Sequence, residues 1–133
     1  MKNQTVFVNG VFDCLHIGHK RLFQYAKSLG DTLIIAIDSD ERVAAMKGEG
    51  RPINNAAIRA EFLESIRGIA LVVEFNTDEE LCNWIRELQV DIMVVGEEYK
   101  DKKVIGSEYA KEVRYFKKVG NFSTTNILNN GQR

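Results

Sequence analysis

Two segments of the chain are apolar at nearly every consecutive position, TLIIAID at 32–38 and DIMVVG at 91–96. A strand with one face in water alternates apolar and polar residues, whereas a strand buried on both faces does not. Continuous apolar runs of this length are typical of parallel strands with helices on both sides. Segments 5–9, 71–75 and 113–119 also have strand character. The chain is thereby restricted to folds in which a sheet lies between two helical layers.

Helical patterns separate these strands. The spacing of Leu22, Ala26 and Leu29 predicts a helix over about 18–29. A short helix is predicted after residue 38, and a second one ends before Gly68 and has an apolar face of Ile58, Phe62 and Ile66. A third helix follows the capping box of Thr77 and Glu80. Two more are predicted at about 107–112 and after Ser123, which would be an N-cap. This alternation predicts an α/β fold, a Rossmann-like, doubly wound, mainly parallel five-stranded sheet with helices on both faces. Such sheets bind ligands at the carboxyl ends of their strands, where the chain order reverses.

The length of 133 residues, without a linker-like segment, predicts a single domain over residues 1–133. The 18 basic and 19 acidic residues give a net charge of -1, so any anion site must be local. The cysteines Cys14 and Cys82 form neither a disulfide framework nor a C-x-x-C pair. The longest apolar run, 33–37, is too short to cross a bilayer, and no secretory apolar region follows Met1. These features predict a cytoplasmic protein with neither a nucleic-acid nor a membrane partner.

The most unusual stretch is NGVFDCLHIGH at 9–19, which contains both histidines of the chain. It follows the first predicted strand and opens the first predicted helix, where nucleotide phosphates bind in folds of this class. Neither G-x-G-x-x-G nor G-x-x-x-x-G-K-[ST] occurs in the chain. His16 and His19 could donate hydrogen bonds to phosphate oxygens, and Gly18 would let a phosphate approach the backbone. A metal site formed by Cys14, His16 and His19 is the alternative, which the position at a helix start makes less favourable.

Two motifs carry a resemblance to a known family. NGVFDCLHIGH and STTNI at 123–127 resemble the signatures of the cytidylyltransferase-like branch of the nucleotidyltransferases. The segments at 39–54 and 94–107 lie between them in the expected order, so the resemblance covers essentially the whole chain. The chain looks most like the adenylyltransferase domain of ADP-heptose synthases, and it is also similar to glycerol-3-phosphate cytidylyltransferases.

The resemblance implies an enzyme that joins a nucleotide to a phosphorylated small molecule. The phosphate of a small sugar or polyol attacks the α-phosphate of ATP or CTP, pyrophosphate leaves, and Mg²⁺ accompanies the departing phosphates rather than occupying a dedicated protein site. A homodimer is also implied. The resemblance assigns catalysis to His16, His19 and Lys47; nucleotide binding to Asn9, Gly10, Val11, Phe12, His16, Gly18, His19, Gly96, Glu98, Tyr99, Lys118, Ser123, Thr124 and Thr125; and acceptor binding to Asp13, Asp40, Lys47, Arg51 and Arg59.

Several of these residues have a plainer interpretation. Arg59 could be a solvated surface residue, and Asp13 could orient a loop through backbone N–H groups or form a local Asx turn. Lys47 could be a solvated loop lysine, and Glu97 and Glu98 could be an acidic turn. Ser123 and its neighbours would cap a helix in any case.

The segment 47–55 contains Gly48, Gly50 and Pro52, which predict a loop. This loop could close over the bound phosphates as a lid.

Two departures leave the nucleotide base and the acceptor open. Glycerol-3-phosphate enzymes have an arginine where this chain has Lys118, and ADP-heptose synthases carry acidic residues where it reads KKVGNF. KGEGRPIN and GSEY favour the heptose type, whereas the compact length favours the glycerol type. A nucleotide-binding module without turnover is the alternative of another class. The presence of His16, His19 and Lys47 favours an enzyme.

Overall fold

The structure is a computed structural model that describes residues 3–117. Its strands and helices are β1 (Thr5–Gly10), α1 (Ile17–Ser28), β2 (Thr32–Asp38), α2 (Asp40–Lys47), α3 (Ala56–Glu64), β3 (Ile69–Phe75), α4 (Asp78–Glu87), β4 (Ile92–Gly96) and β5 (Glu112–Phe116), with single 3₁₀ turns at Glu97–Tyr99 and Ser107–Tyr109. The predicted order of strands and helices is confirmed up to β4. The helix predicted at about 107–112 is wrong, because only the 3₁₀ turn forms there and the N–H groups of Lys111 and Glu112 bond to the carbonyl of Asp91 beside β4, where β5 begins. The predicted final helix lies outside the described residues.

The five strands form one sheet in the order β3-β2-β1-β4-β5. Every neighbouring pair is parallel, which confirms the predicted Rossmann-like fold. The chain runs outward from β1 to β3 and then crosses to β4 on the other side of β1. The order therefore reverses between β1 and β4, and the carboxyl ends of these two strands form the crevice where such sheets bind ligands.

The core lies in two layers, one on each face of the sheet. On one face, inward residues of β1 and β2 pack against α1 and α3 through Phe23, Ala26 and Leu63. On the other face, the alternate residues of the same strands pack against Leu81 and Ile85 of α4. The burial of both faces of β2 explains its continuous apolar sequence. None of the helices within residues 3–117 has the length and apolar character needed to cross a bilayer.

The apolar face predicted for α3 is wrong. Ile58 is 42% exposed and Phe62 is 59% exposed, whereas the helix buries Ala56, Arg59 and Leu63. The surface role considered for Arg59 is also wrong, because this residue is only 1% exposed. An arginine can face the core when its donors all meet acceptors there, and a periodicity based on apolar residues cannot detect that arrangement.

Asp91 forms hydrogen bonds that connect the amino-terminal ends of β1, β4 and β5. Its carboxylate accepts a 2.7 Å hydrogen bond from the N–H of Thr5 and lies 2.9 Å from Nζ of Lys111. Its own N–H donates to the carbonyl of Thr5, and its carbonyl accepts from Lys111 and Glu112. The hydrogen bond from Thr5, followed by that from Lys111, holds the pKa of the Asp91 carboxyl below its usual range.

We expect Asp91→Asn to lower the free energy of unfolding by about 1–2 kcal/mol at pH 7, because a charge-assisted hydrogen bond is lost. The folded pKa lies below the unfolded pKa, so this stabilisation is present at neutral pH and is lost as the pH falls through the folded value. Urea unfolding of both proteins should therefore show the largest difference at pH 7 and a shrinking one below about pH 4. Asp31→Asn removes an exposed carboxylate and should change little. Equal differences at pH 7 and at low pH would contradict the role of the Asp91 charge.

Candidate functional site

A cavity of about 330 Å³ lies at the carboxyl ends of β1 and β4. The predicted nucleotide-binding residues within residues 3–117 all line it: Asn9, Gly10, Val11, Phe12, His16, Gly18, His19, Gly96, Glu98 and Tyr99. Lys47 and Arg21 also reach this cavity. Lys118, Ser123, Thr124 and Thr125 lie outside the described residues. The structure thus brings together segments that are far apart in the sequence, in the crevice where the strand order reverses.

The two histidines are held in place by the backbone at the start of α1. His16 is the N-cap residue, and its Nδ1 accepts a 3.1 Å hydrogen bond from the N–H of Gly18. The N–H of His16 donates to Nδ1 of His19, also at 3.1 Å. The two rings stack with their centroids 3.9 Å apart. Histidine is an uncommon N-cap residue. The capping hydrogen bonds give the pattern H-x-G-H a structural role at the start of α1.

These hydrogen bonds determine which ring nitrogen carries the proton. A nitrogen that accepts a hydrogen bond from a backbone N–H must be unprotonated, so Nε2 carries the proton in the neutral ring of both His16 and His19. An uncharged imidazole with this tautomer is a hydrogen-bond donor at Nε2. Both residues can therefore donate to phosphate oxygens without first being protonated.

The ring of Phe12 packs against the ring of His19. The backbone of Phe12 has a φ of 50°, and its side chain is buried. Its ring meets His19 edge-on at 5.4 Å between centroids and Phe23 at 5.3 Å. Gly10 has no side chain that would obstruct this position of the Phe12 ring. A Cβ at this residue would lie only 2.9 Å from the ring, which is too close. The sequence predicted Phe12 as a nucleotide contact, and its packing against His19 was not predicted.

Lys47 is the last residue of α2, and Gly48 follows it with a φ of 96°. It lines the first cavity and also a second cavity of about 530 Å³. The two cavities share Asn9, Gly10, Val11, Val95, Gly96 and Tyr99, so they adjoin along the end of β1. Lys47 therefore lies where ligands in the two cavities would meet.

The second cavity has other basic residues that the sequence interpretation did not single out. Arg42 and Lys103 line it beside Met46 and Ile105. Arg42 is held by Asp38 at 2.7 Å and by Asp78 at 2.8 Å. The contacts with these two carboxylates raise the pKa of Arg42 above its ordinary value although burial opposes this. Lys103 lies in a run of charged loop residues, where no local pattern marks one lysine as different from the others.

Asp13 is 5% exposed and lines neither cavity. Its carboxylate accepts hydrogen bonds from the N–H groups of Ile53 at 2.6 Å and Asn54 at 2.8 Å. The side chain of Asn54 donates in return to the carbonyl of Asp13. Of the two roles considered for Asp13, the structure shows loop orientation through backbone N–H groups, because its partners lie 40 residues away.

Arg51 lies beside Asp13, with its Nε 3.8 Å from the carboxylate. Its guanidinium Nε and Nη2 are buried and have no hydrogen-bond partner within residues 3–117. The side chain is 16% exposed and lines neither cavity. Its acceptor contact stays a prediction.

Arg59 donates to four oxygens inside the protein. Its Nε bonds to the carbonyl of Asn54 at 2.9 Å, and its Nη1 bonds to the carbonyls of Val11 and Asp38, both at 2.9 Å. Its Nη2 bonds to the carboxylate of Asp40 at 2.7 Å. Among the five predicted acceptor-binding residues, Lys47 lines both of these cavities, and the other four line neither of them. Acceptor contact by Arg59 and Asp40 stays a prediction.

Glu98 folds back over the end of β4. It lies in the 3₁₀ turn after Gly96, and a Cβ at Gly96 would collide with its carboxylate. Both residues line the first cavity. The acidic turn considered for this segment therefore also contributes a carboxylate to the cavity wall.

The alternative metal site finds no support in the described residues. Within residues 3–117, no group of three or more His, Cys, Asp or Glu side chains is placed to hold a metal ion. Burial, followed by the charge of Asp13, raises the pKa of the Cys14 thiol. Nδ1 of both histidines is already engaged by backbone N–H groups.

Comparison with solved structures supports the fold. A lipopolysaccharide core biosynthesis protein from Thermoplasma volcanium matches with a TM-score of 0.70 at 24% identity, covering 88% of this chain and 98% of that one. A protein of unknown function from Archaeoglobus fulgidus matches with a TM-score of 0.64 at 22% identity, covering 86% and 88%. Since both identities are low, these likenesses concern the fold alone.

Sequence comparison is more specific. The chain is 44% identical over 124 residues to the bifunctional protein HldE of Campylobacter fetus and 46% identical over 125 residues to that of Nitratiruptor sp.. These matches cover 93% and 94% of this chain but 27% of each relative, so the chain spans about a quarter of their length. Residues 7–129 match the family described as Cytidylyltransferase-like. Since this match includes the histidine segment and nearly the whole sheet, the chain belongs to the cytidylyltransferase-like family of nucleotidyltransferases.

Proposed function

We propose that this protein transfers a nucleoside monophosphate from ATP or CTP to the phosphate of a small sugar or polyol phosphate, and that it releases pyrophosphate. One observation carries this proposal most directly. The crevice between β1 and β4 presents two histidines whose backbone contacts leave Nε2 as the proton-bearing nitrogen. Lys47 lines the same cavity and also the second cavity that adjoins it. Such a site suits a reaction in which two phosphates must approach each other.

The proposed reaction needs no protein nucleophile. The nucleotide occupies the first cavity, and the acceptor enters from the second. An oxygen of the acceptor phosphate attacks the α-phosphorus, the bond from this phosphorus to the oxygen bridging it to the β-phosphate breaks, and the electron pair leaves with pyrophosphate. The protein contributes by positioning both anions and by stabilising the charge that develops on the α-phosphate. His16, His19 and Lys47 are the donors proposed for this role.

Magnesium is proposed as part of the nucleotide substrate. The described residues do not form a metal site of their own. Mg²⁺ bound to the β- and γ-phosphates would neutralise charge on the leaving pyrophosphate. The residues of the chain then act on the α-phosphate and on the acceptor.

Heptose 1-phosphate is the acceptor type that we favour. The segments KGEGRPIN at 47–54 and GSEY at 106–109 resemble ADP-heptose synthases, and the relatives compared above are named HldE. Transfer of a cytidylyl group to glycerol 3-phosphate is the second candidate, because the sequence is also similar to glycerol-3-phosphate cytidylyltransferases. A nucleotide-binding module without turnover is disfavoured, because His16, His19 and Lys47 are all present and all line one cavity. Homodimerisation and a cytoplasmic location stay predictions.

A pyrophosphate-release assay tests this function. ATP and CTP are each combined with heptose 1-phosphate, glycerol 3-phosphate and other small sugar phosphates, in the presence of Mg²⁺. We expect release that depends on one nucleotide and one phosphorylated acceptor together. The variant His16→Asn, prepared in the same way, measures contaminating activity. Binding of nucleotide without release in any combination would favour the binding module instead.

A further inference from the structure

The guanidinium of Arg59 connects three segments that surround the candidate site. Val11 lies between β1 and His16, Asp38 ends β2, and Asn54 lies in the loop before α3; each provides a carbonyl oxygen at 2.9 Å. Asp40, the first residue of α2, provides the carboxylate. The side chain of Arg59 has no exposed surface. A planar group with fixed donor directions holds such acceptors in one relative arrangement.

Two of these segments lead directly to the catalytic residues proposed above. Val11 belongs to the cavity wall and begins the short segment that ends at His16. Asp40 begins the helix that ends at Lys47, and a helix of this length is about 12 Å long. A shift of either segment at Arg59 would therefore change the distance between Lys47 and the histidines.

We propose that Arg59 is a positioning residue, which acts through Asp40 and α2 to set the place of Lys47 relative to His16 and His19. This inference rests on the proposed function, because it assigns to Lys47 a part in turnover. In this role Arg59 acts without touching the substrate, which agrees with a side chain that is fully buried and lines neither cavity. The role differs from the acceptor contact that the family resemblance implies for Arg59 and Asp40.

The test uses Asp40 instead of Arg59, because loss of a buried arginine would leave several acceptors unpaired and could unfold the protein. Asp40→Asn removes the carboxylate that Arg59 contacts. Glu41→Gln is the matched control, because Glu41 also lies in the first turn of α2, is exposed and makes no hydrogen bond to Arg59. Both changes remove one negative charge near the helix N-terminus. We expect kcat to fall about tenfold in Asp40→Asn and less than twofold in Glu41→Gln.

A double-mutant cycle separates positioning from stability and from direct acceptor contact. If Asp40 acts through Lys47, Asp40→Asn should have almost no further effect on kcat in a Lys47→Ala background. If Asp40 served stability only, Asp40→Asn would lower kcat by the same factor with Lys47 and with Ala at position 47. If Asp40 contacted the acceptor, this change would raise the acceptor KM by the same factor in both backgrounds. Such additivity would overturn the inference.

Two further measurements do not depend on turnover. The same cycle is measured on the dissociation constant of the nucleotide, and coupling between Asp40 and Lys47 is again expected. Hydrogen exchange of the α2 amides should be faster in Asp40→Asn than in Glu41→Gln. Equal exchange in the two variants would overturn the link between Arg59 and α2. If the wild-type protein binds nucleotide without turnover, the proposed function fails, while these two measurements still decide the inference.

Discussion

His16→Asn should reduce turnover by roughly 10²–10³-fold while leaving the melting temperature nearly unchanged. Asparagine is a favoured N-cap residue, and its side-chain oxygen can accept the hydrogen bond from Gly18 that Nδ1 of His16 accepts now. Its side chain is too short to replace Nε2, so the donor to the phosphate is lost. Loss of one preorganised donor to the developing charge typically costs this much in rate. Pyrophosphate release and thermal unfolding are measured on the same preparation.

The choice of asparagine matters because His16 caps α1 in addition to its proposed role as a phosphate donor. His16→Ala would remove the cap as well as the donor, and the loss of the cap costs about 1 kcal/mol. Alanine and asparagine variants should therefore have similar kcat values but different melting temperatures. Thr77→Ala controls for the loss of a cap elsewhere, because Thr77 caps α4 through the N–H of Glu80 at 3.1 Å. A near wild-type kcat in His16→Asn would contradict the phosphate role.

Lys47→Ala should lower kcat by roughly 10²-fold and raise the nucleotide KM by a smaller factor. Lys47 lines both cavities, so in the proposed reaction its charge would act where the acceptor phosphate meets the α-phosphate. An interaction that strengthens as charge develops in the transition state affects kcat more than ground-state binding. Steady-state kinetics with both substrates varied measure the two effects. Lys100→Ala, which removes an exposed lysine that lines neither cavity, should leave both unchanged.

A rise in KM with kcat unchanged would mean that Lys47 binds the ground state only.

The predicted lid over 47–55 can be tested on the same protein. Its far end is attached to Asp13 through Ile53 and Asn54, whereas 48–50 is exposed. We therefore expect ligands to slow hydrogen exchange mainly at 48–50. Equal exchange in this stretch with and without both substrates would contradict the lid.

The sequence by itself determined the types and order of the secondary-structure elements from β1 to β4. A buried parallel strand must be apolar on both faces, so β2 and β4 could be recognised without knowing their neighbours. The position of the histidines was equally local, because a strand followed by a helix start defines a phosphate site within one short stretch. The family resemblance located the cavity-lining residues within 9–19 and 96–99, and the rule that strand ends meet at one edge of the sheet explains why these two segments converge.

Only the tertiary structure decided what the charged residues do. Asp13 bonds to backbone groups 40 residues away, and Arg59 bonds to oxygens of Val11 and Asp38 in two other segments. A buried guanidinium is stable only where several acceptors converge, and their convergence depends on which strands become neighbours. For the same reason, α3 turned Arg59 inward and left Phe62 in solvent, against its apolar pattern. The periodicity of apolar residues reflects only the average preference of each residue type for water. The direction in which one charged side chain points depends on hydrogen-bond partners that come together only in the folded protein.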